Sequence, residues 1–424
     1  MIGRHNSTSS KCISFAICCL VIILSLPGQS MGFCAFTEPI LQTTGLSRNL
    51  FSTIYMCATM LGCCGVLVSG PLIDRLGVKK SLIFTLPIWT LTLLMFGMCD
   101  KLKITLGSTL SNNVFFTLFF TSSIFMLRLL GQNILPLLGR LEVVRIFPEH
   151  QGLAIASCVF FVSICNGITP AFMNWLAQNN DWQHAFRTLS FSGAILFFVV
   201  VFFLTEEPIY DIKHDESHEK NDRYIHLEFH SRTALLKTSI FWCITSALCL
   251  NAFIGSGTVV HIVDIFRERN VSASAALNSY IPLSIATVTA GFIFGKLVDL
   301  NRLKTCLILM FLSQFFGLTG LSHVEYRSSI ILYIICIGGT WGGYGVLLTT
   351  AWSKIFDQKH IGNILGLVYF LSATVGALSV PLMSLFKYFF GSYFVLLNII
   401  RVVIILCIIF CILKFPKQNT NRGS

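Results

Sequence analysis

Nearly uncharged apolar runs of about 20 residues, the length of a membrane-crossing helix, recur twelve times along this chain. They lie at 12–33, 50–72, 81–99, 113–139, 153–176, 185–204, 240–263, 275–298, 305–323, 329–351, 362–386 and 391–413. In roughly 30 Å of hydrocarbon every backbone polar group must be paired within the fold, which leaves only helices and closed barrels. The runs are too long and too evenly apolar for the short alternating strands of a barrel. With 54% apolar and 12% charged residues the chain also lacks the polar surface a soluble fold needs. The expected fold is therefore an all-α membrane protein of twelve transmembrane helices.

A charged turn expected over 70–80 separates the second and third runs. It reads Gly70-Pro71-Leu72-Ile73-Asp74-Arg75-Leu76-Gly77-Val78-Lys79-Lys80, and a partial copy follows 225 residues later as Gly295-Lys296-Leu297-Val298-Asp299 with Arg302 and Lys304. A second echo links Arg145-Ile146-Phe147 through Gly152 to Lys354-Ile355-Phe356 through Gly362. The chain thus reads as one six-helix unit used twice: an N-terminal bundle over 1–204, a linker over 205–236 and a C-terminal bundle over 237–424 with a short tail. The linker holds too few apolar residues to build a core. Its histidines (His214, His218, His226, His230) lack metal-ligand spacing. The first run is expected to be a retained helix, not a cleaved signal peptide, since it has no small-x-small cleavage site. Pro27 and Gly28 should bend or loosen it.

A net charge of +11 could signal nucleic-acid binding, but the basic residues are dispersed over helix ends. Topology explains them better. With the amino end cytoplasmic, 20 of the 30 Lys and Arg fall on the inner side and 8 on the outer, which places both termini and the linker inside a cell membrane. Most of the 16 cysteines sit within apolar runs without a CxxC pair, as small packing residues. A bridge between Cys34 and Cys99 is the alternative for those two. No metal, cofactor or nucleic-acid partner is implied.

The residues Gly70, Leu72, Asp74, Arg75, Gly77, Lys79 and Lys80 fill every position of Gly-x-Leu-x-Asp-Arg-x-Gly-x-basic-basic. In this, and in its six plus six runs, the chain resembles the major facilitator superfamily. Finer segments are similar to bacterial relatives of monocarboxylate porters and oxalate/formate exchangers: Leu26 to Ser30 leading to Gly45 to Arg48, Arg128 to Asn133, Arg145 to Ala156, and Asp181 to Phe186. The first run has no Lys, and the eighth has no acid or Arg before Lys296. The proton and substrate relay of animal monocarboxylate porters is therefore not carried over. The resemblance implies alternating access about a midplane site between the halves, acting as a monomer on a small solute, with protons or a counter-solute.

Arg128 is the foremost substrate-site candidate, because a permanently charged guanidinium inside a span is costly unless it faces a cavity or a partner. Its alternative is a structural tie to a carbonyl or an acid. Gln29, Gln132, Asn133, Asn251, Trp341 and Tyr344 are expected to share the cavity wall, and Arg401 is either a second anion clamp or a snorkelling group. Gly338, Gly339, Gly342, Gly343 and Gly345 mark a helix that bends or packs closely. Glu38, His261 and Asp264 are the proton-coupling candidates, with outer-gate or solvated roles as their alternative. Gly70, Asp74, Arg75, Gly77, Lys79, Lys80, Glu142, Arg145, Gly295, Asp299 and Arg302 form the expected cytoplasmic gate, against simple turns with positive-inside anchors. Together these residues suit a secondary carrier for a small organic solute, foremost a carboxylate, by proton symport or exchange. An amino-acid or zwitterion carrier, a drug exporter and a non-transporting sensor are the alternatives. No nucleophile and base, phosphate loop or metal cluster marks an enzyme.

Overall fold

The computed structural model of the protein describes residues 8–29, 36–46, 48–99, 101, 110–179, 181–204, 231–356 and 358–415. Twelve long helices, α1 to α12, follow in order. They are α1 (Thr8–Leu24), closed by a 3-10 turn Leu26–Gly28, then α2 (Arg48–Leu76) and α3 (Val78–Phe96). Next come α4, which runs as Leu110–Leu127, a π-helical turn Arg128–Ile134 and Leu135–Ile146, then α5 (Gln151–Asn179) and α6 (Trp182–Phe203). The second set is α7 (Ser239–Glu268), α8 (Tyr280–Asp299), α9 (Leu303–Ser322), α10 (Arg327–Ser353), α11 (Ile361–Phe390) and α12 (Phe394–Lys414). Among the described residues eleven apolar helices are long enough to cross a bilayer, and Gln151–Cys165 within α5 is a shorter apolar helix. The fold class is as expected: all-α and multi-pass. Exposed side chains such as Phe84, Leu61, Phe191, Phe198 and Leu413 would be an aggregation hazard in water and are ordinary lipid contacts in a membrane.

Helix boundaries differ from expectation where charge meets apolar sequence. The turn expected over 70–80 is a single residue. α2 continues through Gly70, Pro71, Asp74 and Arg75 to Leu76, and α3 starts at Val78, so Lys79 and Lys80 occupy its first turn. Gly77, at φ 82°, makes the break, in the left-handed region where a side chain would be strained. In the second copy, α8 carries Gly295 and Asp299 to its end, and Asn301 at φ 56° turns the chain before α9. α4 reaches Ile146 instead of ending near 139. The run expected over 275–298 is split into a short helix Ala273–Asn278 and α8. Glu38, expected toward the end of the first span, lies on a separate short helix, Thr37–Thr44, and its side chain is outside the described residues. Cys34 and the four linker histidines are also outside them, so the Cys34–Cys99 pairing lies outside the described residues, and Cys99 itself is buried.

The chain divides into two compact units, Met1–Ile146 with Phe161–Pro208, and Phe147–Phe160 with Ile209–Ser424. In the first, α2 packs on α4, α3 on α6, and α1 on the Leu135–Ile146 part of α4. The second repeats two of these pairings six helices later, α8 on α10 and α9 on α12, and adds α7 on α11. The glycines of α10 serve close packing: a Cβ at Gly338 would fall 2.9 Å from the Leu283 carbonyl of α8, and one at Gly342 would fall 2.7 Å from the Gly291 nitrogen.

Candidate functional site

In the first unit a polar cluster forms where two segments lose regular α-helical geometry side by side, against a third, regular helix. Pro27 sits in the 3-10 turn that ends α1, so the Gly28 carbonyl is no longer committed to an α-helical bond. Opposite it, α4 widens into the π turn, with the Leu135 N–H bonding the Leu130 carbonyl five residues back. The two irregular segments touch backbone to backbone. A Cβ on Gly131 would stand 2.8 Å from Gly28 Cα and 2.7 Å from the Trp89 ring. α2 closes the third side at Gly62, where a Cβ would lie 3.2 Å from the Leu129 nitrogen.

Arg128 opens the π turn and is only 2% exposed. Its Nη1 donates to the Gly28 carbonyl at 3.1 Å and its Nε to Thr59 Oγ1 at 2.9 Å. The Tyr55 ring, one turn before Thr59 on α2, lies 4.7 Å from the guanidinium carbon, in cation–π range. Asn133 Nδ2 donates to the Arg128 carbonyl at 3.1 Å, which ties the two ends of the π turn together. Gln132 projects from the same turn with Oε1 buried and without a hydrogen-bond partner among the described residues. Gln29 Nε2 donates to Ser25 Oγ at 3.1 Å, on the α1 side. Arg128, Gln29, Gln132 and Asn133 thus come together, and Thr59 and Tyr55 join them. These last two were not singled out from sequence; their spacing of four on an apolar helix, just before Gly62, was the available signal.

In the second unit Asn251 is 5% exposed on α7, with Oδ1 unpaired among the described residues. One turn on, Gly255 faces the Trp341 indole of α10, where a Cβ would stand 3.4 Å from Nε1. Asn251 and Trp341 therefore share one helix crossing, and Tyr344 follows half-buried on α10. Arg401 belongs to another pair of helices. It donates to Asn398 on α12 and to Thr319 and Ser322 of α9, at 3.5 and 3.3 Å. Near the end of α7, His261 approaches the Val380 carbonyl at 3.2 Å and the Tyr393 hydroxyl at 3.4 Å. Asp264 is exposed and lies 3.8 Å from Arg267, while Glu268 takes Lys387 at 2.8 Å.

The loop motifs have defined partners within each unit. Asp299 accepts from the Gly152 and Leu153 N–H groups at 2.7 and 3.0 Å, so its carboxylate caps the positive end of α5. Gly152 and Gly295 approach so closely that a Cβ on Gly295 would stand 2.6 Å from the Gly152 carbonyl. Gln151 accepts from Ser353 at the end of α10. In the first unit Lys79 Nζ donates to the Leu204 carbonyl at 2.7 Å, holding the end of α6. Glu142 and Arg145 are buried in the last turns of α4, at 1% and 7% exposure, and Arg75 and Arg302 flank the two breaks.

Twelve helices whose pairings partly repeat six helices later, with a buried charge at a π turn and an acid capping the start of α5, describe a polytopic membrane protein built on an internal repeat. The chain belongs to the Major Facilitator Superfamily, whose profile matches residues 18–381. It is a transporter and not an enzyme. Solved structures agree in fold. The proton:xylose symporter XylE, bound to 6-bromo-6-deoxy-D-glucose, superposes with TM-score 0.73 at 14% identity, covering 97% of each chain. A bacterial homologue of the iron transporter ferroportin gives 0.70 at 14% identity over 94% of this chain and 98% of its own. The human organic anion transporter MFSD10 gives 0.67 at 13% identity over 95% and 99%. No curated protein matches the chain in sequence.

Proposed function

We propose that this transporter moves a small organic solute with a negatively charged group, foremost a carboxylate, by alternating access coupled to protons through symport or exchange. The observation that carries the reading is Arg128, a permanent charge buried within an apolar helix and oriented by the Gly28 carbonyl, Thr59 and the Tyr55 ring. Such a group costs several kcal/mol in hydrocarbon, and anion recognition supplies a reason to keep it. The fold neighbours that are a proton symporter and an organic anion transporter are consistent with both parts of the proposal. Gln132 Oε1, on the same π turn as Arg128, has no hydrogen-bond partner among the described residues, which favours a solute that also carries a hydrogen-bond donor. That second requirement keeps a zwitterion, with its amino group as donor, as the rival substrate.

The gate residues are proposed to work through helix ends. Asp299 on the amino end of α5 is the contact a transport cycle would break and remake, and Asp74 is its counterpart by sequence repeat. Arg75, Lys79, Lys80, Arg302, Glu142 and Arg145 would tune that face. His261 and Asp264 remain proton-coupling candidates, together with Glu38. The bias of 20 inner to 8 outer basic residues supports cytoplasmic termini in a cell membrane. The unit of function is proposed to be the monomer.

The test is counterflow in proteoliposomes preloaded with short carboxylates, hydroxy acids, amino acids or sugars. Exchange of labelled carboxylate or hydroxy acid is expected. Exchange of amino acids alone would replace the anion assignment with the zwitterion one. Absence of counterflow for every class would favour a sensor that keeps the carrier fold.

A further inference from the structure

Outside the transport site, α7 carries a groove of about 400 Å³ on its flank, between α11 and α12. Both helices pack on α7 but hardly on each other, so the space between them stays open. Its walls include Thr245, Cys249 and Phe253 of α7, Val375 of α11 and Val403 of α12. The groove is open to the surroundings and wholly apolar, so in a bilayer it is filled by hydrocarbon.

Two further features of the groove point to what fills it. Trp242 lies at one end, 44% exposed, with Nε1 donating to the Leu236 carbonyl at 2.8 Å. A tryptophan at the end of a span with its N–H turned to the chain terminus marks the headgroup boundary. Just beyond it, basic residues gather from three segments. Ser239 Oγ donates to the Lys414 carbonyl at 3.0 Å, so the start of α7 and the end of α12 are adjacent. Lys304, at the start of α9, donates to the Ile412 carbonyl at 3.1 Å and keeps two ammonium donors, and Lys237 is exposed immediately before α7. No Asp or Glu occurs in 231–253, 300–322 or 394–415, so the charged residues these three segments bring to this end of the groove are all basic.

The second feature is Thr245. Many threonines within these helices, among them Thr258, Thr287 and Thr350, donate to the carbonyl four residues back, whereas Thr90, Thr245 and Thr349 have no partner among the described residues. Thr245 is 1% exposed and borders the groove, whose wall is wholly apolar, so its hydroxyl lies behind that wall and has no partner among the described residues. It stands six residues past Ser239, about 9 Å deeper along the helix.

We infer that the groove binds one anionic glycerophospholipid. The order along the groove is the order within such a lipid. Lys237, Lys304 and Lys414 would hold the phosphate, the Thr245 hydroxyl, turned into the groove by rotation about its side-chain bond, would donate to an ester carbonyl beneath it, and an acyl chain would lie along Cys249, Phe253 and Val403. A neutral lipid would fill the apolar part without using the lysines.

The full-length protein, purified in detergent, is titrated by native mass spectrometry with phosphatidylglycerol and phosphatidylcholine of identical acyl chains. One phosphatidylglycerol should bind about tenfold more tightly than phosphatidylcholine. The combined Lys237→Gln, Lys304→Gln and Lys414→Gln variant should lose that preference. Val403→Trp, which fills the groove, should lose the bound lipid while keeping the wild-type thermal midpoint. Thr245→Val should weaken binding of the ester lipid but not of its ether-linked analogue. Equal binding of the two lipids by the wild type would overturn the inference. So would full competition by soluble glycerol phosphate, which would show an anion site independent of the groove.

Discussion

At the residue scale, the proposed transport site turns on how Arg128 is held. Its three described neighbours, Gly28, Thr59 and Tyr55, come from α1 and α2, so one side chain ties three helices at the π turn. Arg128→Ala is expected to abolish uptake while the protein remains folded in the membrane. Arg128→Lys keeps the charge but cannot reproduce two directed bonds from one planar fork, and uptake should fall about tenfold or more. Thr59→Val, which removes the Nε acceptor, should raise the apparent KM with a smaller change in maximal rate. The sequence marked Arg128 because a charge stands out in an apolar run. It could not mark the Gly28 carbonyl, whose availability depends on a 3-10 turn and on a backbone approach from another helix. Arg401 stood out by the same criterion, and only the structure associates it with Thr319 and Ser322 of α9.

At the element scale, helices end by backbone conformation more than by polarity. Charged residues at a span end remain helical because their side chains reach the headgroups. α2 therefore carries Asp74 and Arg75 inside its last turn, and only Gly77 stops it. Reading a charged segment as a turn misplaced the break for that reason, whereas the motif residues themselves were legible. The π turn left no mark of its own in sequence; Gly131 hinted only at close packing. Gly131→Val must displace Gly28 or Trp89 and should destabilise by about 1–3 kcal/mol, seen as a lower thermal midpoint in detergent. Asp299→Ala removes the cap from α5 and should cost about 1 kcal/mol, with Asp299→Asn recovering part of it. For the gate proposal, Asp74→Asn should slow turnover more than it weakens solute binding, measured by uptake rate against ligand-induced thermal shift.

For the whole molecule, the internal repeat is the deepest regularity. Gly70 to Lys80 and Gly295 to Lys304 announced it, and the pairings of α2 with α4 and α8 with α10 express it in packing. Twelve runs and one motif were enough for the fold, because hydrocarbon admits so few architectures. The proposed substrate chemistry rests on far fewer residues, chiefly Arg128 and the amides beside it on one turn, and the class of protein was therefore far more legible than its solute. The most direct measurement is uptake of labelled carboxylates into proteoliposomes under an inward proton gradient, with wild type and Arg128→Ala reconstituted to equal amounts. The wild type should accumulate carboxylate only while the gradient persists, and Arg128→Ala should match protein-free vesicles. Undiminished uptake by Arg128→Ala, or wild-type uptake no greater than that of empty vesicles, would contradict the assignment.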